Sequence, residues 1–262
     1  AGIWFLAIYM LGFGFSLGLQ VVIARRNGEQ RYEETGKTFY QGLFFLLILA
    51  ALLCLLSKIF SPVLLRHLIT SDDVYNAVIR YLDWRIWGLL FSFPFLALRS
   101  FLVGITQTKA LNMAAFTAVL VNIPLNWLLI FSFDMGISGA AIASSFAETC
   151  SLAVLSAYMF RHIDKKAYGL YWRIDITVLK EVFSISVWSM LQFFTSVAIW
   201  FLFFVAIERL GETELAVSNI VRSVSALFSV IVNALAGVTS SLVSNLIGAG
   251  EKKKVFPLCH KI

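Results

Sequence analysis

Residues 111–160 read LNMAAFTAVLVNIPLNWLLIFSF (111–133), DMGISG (134–139) and AAIASSFAETCSLAVLSAYMF (140–160). Two apolar runs, each over 20 residues, are joined by a short Gly-containing turn, the pattern of two membrane helices in hairpin order. Each run carries polar groups one helical turn apart: Asn122 and Asn126 on the first, Ser144 and Glu148 on the second. Residues four apart share a helix face. Glu148 is the only charged residue between Asp134 and Arg161. A charge at mid-bilayer costs about 2.5–3.5 kcal/mol on insertion scales, so it normally faces a cavity or a partner.

The rest of the chain agrees with this reading. Of 262 residues, 60% are hydrophobic and 14% charged, with a mean hydropathy of +0.85. Soluble domains carry roughly 25% charged residues. The composition therefore predicts an all-α, polytopic membrane helix bundle. Seven spans are expected: 1–24, 39–60 with Pro62 marking the exit, 74–104 kinked at Pro94, 111–133, 140–160, 182–207 and 215–247. Gly12, Gly14, Ser16 and Gly18 give the first span a face of small residues suited to close packing in lipid. A polar loop is expected at 25–38, a helix start at Ser71–Asp73, and a pair between Arg80 and Asp83. Pro124, between the two asparagines, removes a backbone hydrogen bond and can open that helix toward a cavity.

Alternating seven spans places fourteen Lys and Arg residues on one side and three on the other, with Arg80, Arg85, Arg99 and Arg222 in or at spans. That asymmetry predicts cytoplasmic loops at 25–38, 105–110 and 161–181, and a cytoplasmic tail at 248–262. The net charge of +6 then reflects orientation, and nucleic acid is not an expected partner. Cys54, Cys150 and Cys259 are odd in number and far apart, which offers neither a disulfide framework nor metal spacing. No phosphate loop, zinc motif or nucleophile elbow is present, so no enzyme activity and no cofactor are expected. The first residue is not Met, and the first charge is Arg25. Ala1 is read as a point inside a longer protein. A faint repeat aligns 12–30 with 234–252 at an offset of 222, which would imply two parallel halves.

ARRNGE (24–29), RSFLVGITQTK (99–109), VNIPLNWLLIF (121–131) and MGISGAAIAS (135–144) resemble the multidrug and toxic compound extrusion (MATE) transporters, in the order of that family's second to eighth helices. The resemblance implies a twelve-helix fold of two lobes. Residues 1–165 would be the first lobe without its first helix, 166–181 an inter-lobe loop, and 182–262 the start of the second lobe. It implies a monomer in a bacterial inner membrane that exports amphipathic, often cationic drugs against inward Na⁺ or H⁺. A lipid-linked sugar flippase of the same superfamily, or a non-transporting remnant, is the alternative.

The family's helix-five pattern Asn-x-x-x-Asp meets Asn122, but Asn126 stands where the Asp would be. The helix-six Thr corresponds to Ser144 and a helix-four Tyr to Tyr81. A Glu that another branch carries on the seventh helix falls at about Ser196. Candidate substrate- or ion-binding residues are therefore Glu148, Asn122, Asn126, Ser144, Tyr81, Gln20 and Gln192. For Glu148 two readings stand. It supplies the carboxylate that Asn126 lacks, or it pairs with an arginine for packing. Likewise Asn122, Asn126 and Gln20 line a cavity or bridge helices. Asp83 and Arg85 are read as structural.

Overall fold

The computed structural model describes residues 2–68, 72–171, 174–208 and 211–261. Ser71, which carried an expectation above, lies outside them. The described residues form helices and connecting turns with no strand. The helices are α1 (Gly2–Gly28), α2 (Tyr32–Leu68), α3 (Asp72–Arg85), α4 (Leu89–Gly104), α5 (Lys109–Trp127), α6 (Gly136–His162), α7 (Ile176–Glu208), α8 (Glu212–Gly248) and the short α9 (Val255–Cys259). Seven segments are long and apolar enough to cross a bilayer, with α3 and α4 together making the third. The fold is the expected polytopic α-bundle.

Several boundaries differ from the sequence reading. The polar run 25–38 is no loop. Its first residues finish α1 and its last begin α2, leaving a three-residue turn. Arg25 and Arg26 lie in the last turn of α1, and Glu33 and Glu34 in the first turn of α2. Each pair suits the helix dipole it sits on, so charge promoted helix rather than loop. Pro62 does not end α2, which continues to Leu68. The third span breaks at a 3-10 turn, Ile86–Gly88, while Pro94 lies inside α4. Asp83 pairs with Lys58 on α2 at 2.5 Å and not with Arg80. Arg80 donates instead to the Asn76 carbonyl, 3.4 Å away. The segment 161–181 is helical only at its ends: α6 runs to His162 and α7 starts at Ile176. There the Asp175 carboxylate accepts from the Thr177 and Val178 amides at 3.0 and 3.3 Å, an N-cap.

The small-residue face of α1 does what its composition suggests. A Cβ at Gly14 would meet the Met190 backbone at 2.6 Å, and one at Gly18 would meet Ser186 Oγ at 2.1 Å. The two helices touch backbone to backbone, as small residues permit in lipid. Ser186 seals the contact by donating to the Phe15 carbonyl at 3.2 Å.

Three helices end together beside this seam. At α1, α4 and α8 the chain turns through Gln30 (φ 60°), Thr106 (φ 62°) and Gly250 (φ 77°). In each, the next amide reaches back five residues: Arg31 to Arg26, Gln107 to Leu102, Glu251 to Leu246. This is the Schellman ending. Asn245 on α8 ties the three ends together. Its amide donates to the Gly104 carbonyl at 2.9 Å, and its side-chain oxygen accepts from Asn27 at 2.8 Å. Buried Arg26 links α1 to Thr38 on α2 and to Glu181 on α7, the latter at 2.6 Å. The matching endings of α1 and α8 place the repeat at an offset of 220, two less than the sequence alignment gives.

Any side chain larger than hydrogen at Gly18 has to displace α7. Overpacking costs typically 1–3 kcal/mol, so about that loss is expected here. The Gly18→Val protein should therefore melt several degrees lower in detergent, while Gly2→Val, where a Cβ meets nothing within 4 Å, should melt like the parent.

Candidate functional site

Polar residues inside the bundle fall into two clusters and one cavity. The first cluster lies between α5 and α6. Asn126 donates to Asn122 Oδ1 at 2.8 Å, and Asn122 reaches Ser144 Oγ at 3.5 Å. On the same helix Phe116, Ile123 and Trp127 are each more than 60% exposed, while the amides turn toward α6 and satisfy one another. Sequence spacing brought these three residues together correctly.

Glu148, one turn beyond Ser144, joins a different group. Arg85 approaches it with both terminal nitrogens, Nη1 at 2.9 Å and Nη2 at 2.5 Å. Ser92 donates to the same carboxylate at 2.5 Å. Ser145 accepts from Arg85 at 3.3 Å. The guanidinium also stands 4.0 Å from the centroid of the Phe5 ring. Tyr81, half-buried, interacts with Arg85 as well. The 3-10 turn after Arg85 makes this possible. A Cβ on Gly88 would fall 2.5 Å from Arg85 Nη1, so only glycine leaves room for the guanidinium to fold back toward α6. Of the two readings of Glu148, the geometry displays the arginine-paired one. A two-pronged Arg–carboxylate contact is the strongest form of such a pair.

The cavity, of about 260 Å³, lies where α1 and α4 face α7 and α8. Phe13, Arg99, Ser189, Gln192, Asn233 and Ser240 are among its walls. Gln192, a candidate from the sequence, is one of these wall residues. Gln20 does not line it. Buried among the helices, it donates to the Gly237 carbonyl on α8 at 3.1 Å, while its Oε1 accepts nothing among the described residues. That bond is the helix-bridging role. Ser196 lines a shallow, open groove on α7 beside Gln192. Of the four span arginines only Arg99 reaches the cavity. A pyrophosphate carrier would require several cations there. Sequence reasoning passed over Arg99 and Asn233. The signal was present in LALRSFL (96–102), a lone cation in an apolar run.

The MatE family model matches residues 2–128, a little under half of the chain. The chain is 25% identical over 234 residues to the probable multidrug resistance protein NorM of Shewanella oneidensis, covering 86% of this chain and 50% of that protein. It is 24% identical to the probable NorM of Pasteurella multocida, covering 97% and 56%. Among solved structures, an outward-facing multidrug resistance MATE transporter of the MOP superfamily superposes with a TM-score of 0.86 at 20% identity, over 97% of this chain and 57% of that one. The chain spans about half the length of the curated relatives it matches.

Removing one member of a buried ion pair strands the other and costs ~3–5 kcal/mol, whereas apolar replacement of both is often neutral. Glu148 keeps 30% of its side chain exposed, which argues for the low end. Arg85→Met alone should destabilise the detergent-solubilised protein by about 3 kcal/mol, read by denaturant-induced loss of monodispersity. The double variant Arg85→Met/Glu148→Leu should recover most of that loss.

Proposed function

We propose that this chain forms the first lobe and the beginning of the second lobe of an efflux transporter, which exchanges amphipathic drugs for inward Na⁺ or H⁺. On this reading residues 1–165 belong to one lobe, 166–181 connect, and 182–262 open the other. The observation that carries the proposal is the position of the cavity, between α1 and α4 on one side and α7 and α8 on the other. Rocking of one lobe on the other would open such a hollow to each membrane face in turn. The multidrug resistance names of the matched relatives support the same reading.

The clustered ends of α1, α4 and α8 belong on the cytoplasmic side, because Arg25, Arg26, Lys109 and Lys252–Lys254 gather there. Orientation is open to direct test. A cysteine in place of Lys253, in a background without other cysteines, should be labelled by a membrane-impermeant maleimide only after cells are permeabilised.

Coupling runs through Glu148 in this proposal. As an ionised group it holds Arg85. As a neutral acid it would release the guanidinium and loosen α3 from α6. Asn122, Asn126 and Ser144 add oxygens one turn away that suit Na⁺ or a polar substrate group. Expression of the complete gene in a pump-deficient bacterium should lower accumulation of an amphipathic dye severalfold, and a protonophore or Na⁺ removal should abolish the effect. Glu148→Gln should abolish coupled export while the protein still reaches the membrane. Full export by that variant would remove Glu148 from the mechanism.

A further inference from the structure

Residues 163–171, between α6 and α7, form a strap that is built rather than slack. Asp164 accepts from the Lys166 and Ala167 amides at 2.8 and 3.3 Å. Gly169 (φ 54°) closes the turn, and the Leu170 amide reaches back to the Lys165 carbonyl at 2.9 Å. The result is a single helical turn capped at both ends. Its flanks are pinned to the bundle. Ile163 and Leu170 are buried, and the Tyr168 ring lies between Tyr32 of α2 and Phe101 of α4, at 5.4 and 5.7 Å. A Cβ on Gly36 would collide with the Tyr168 carbonyl, so the strap lies directly on α2.

The outward side of the strap carries cations and apolar groups together. From 161 to 181 the sequence holds five basic residues (Arg161, Lys165, Lys166, Arg173 and Lys180) and three acids. Each acid is committed. Asp164 and Asp175 accept from backbone amides, and Glu181 accepts from Arg26 at 2.6 Å. Arg161, Lys165, Lys166 and Lys180 are exposed. Phe160, Tyr171, Ile174 and Ile176 are each more than half exposed in the same stretch, and Lys165 Nζ stands 4.6 Å from the centroid of the Phe160 ring. Phe160 continues the face of α6 that exposes Phe146, while Ala143, Ala147, Ser151, Leu155 and Met159 bury the opposite face. The exposed face thus runs down a membrane span into the strap, and the cations come at the depth where headgroups begin.

We infer that the strap captures anionic phospholipid headgroups. Lys165 and Lys166 hold the phosphate, and Phe160 and Tyr171 sit among the upper acyl chains. Aromatic rings and snorkelling lysines favour that level of a bilayer, and each basic side chain beside an anionic surface adds to the attraction. Because the turn is folded before lipid arrives, capture orders little of the chain. Headgroup binding by the strap is independent of what the protein transports.

The test mixes the purified full-length protein, in neutral detergent, with equal amounts of phosphatidylglycerol and phosphatidylcholine, and counts retained lipids by native mass spectrometry. The parent should prefer phosphatidylglycerol by about tenfold. Lys165→Gln/Lys166→Gln should cut that preference severalfold, and Lys165→Arg/Lys166→Arg should keep it. Lys252→Gln/Lys253→Gln removes the same charge from the tail and should leave the parent ratio. Melting curves on each variant show that the fold is kept. An even ratio in the parent overturns the inference, as does a parent-like ratio in folded Lys165→Gln/Lys166→Gln protein or an equal loss in the tail variant. Millimolar glycerol phosphate should displace no lipid; displacement would mark a soluble-phosphate site and overturn the membrane-surface reading.

Discussion

The contact of α1 with α7 sets the geometry of everything else in this protein. In lipid, apolar surface gives no preference for helix over acyl chain, so association depends on close packing and on bonds that only a dry environment makes valuable. Gly14 and Gly18 let the two backbones meet, and Ser186 donates across the contact. With α7 fixed, α8 follows through the ends it shares with α1 and α4. Gln20 pins its middle through the Gly237 carbonyl, and Ser241 donates to the Val103 carbonyl at 2.8 Å. The cavity is the space left between helices so held. It is roomy because Phe13 and Phe193, which meet edge to face at 5.2 Å, prop the same walls that the glycines draw together lower on α1.

The bundle treats two of its span arginines in different ways. Arg85 and Glu148 neutralise each other, and Ser92 and Ser145 complete their hydrogen bonding. An ion pair so satisfied adds little net stability over apolar residues of the same volume, but it punishes any arrangement that separates its members. It therefore fixes the register of α3 and α4 against α6. Arg99 has no such closure among the described residues.

Much of the fold was legible in the sequence, and the reasons are physical. Span number follows from apolar length, which needs no tertiary contacts. The small face of α1 was visible because close packing demands absence of side chain, which a sequence displays plainly. Helix ends were less legible. The run 25–38 is polar, yet polarity there caps and charges two helix termini rather than marking a loop. Pro62 sits inside α2, and Tyr75 donates to its carbonyl at 3.2 Å. In the site, spacing joined Asn122, Asn126 and Ser144 because they are local to one hairpin. Spacing could not choose the partner of Glu148. That choice depends on Gly88, sixty residues away in sequence, which makes room for the guanidinium at a turn no local pattern announced.

The three Schellman endings close the account of direction. Each α-helix concentrates partial negative charge at its C-terminal carbonyls. Here three such termini meet; Asn245 donates to the Gly104 carbonyl and accepts from Asn27, while Arg26 reaches outward to α2 and α7. Converging like poles repel unless donors stand among them, and Asn245, which bonds both to the end of α4 and to α1, is the donor that lets the three ends meet.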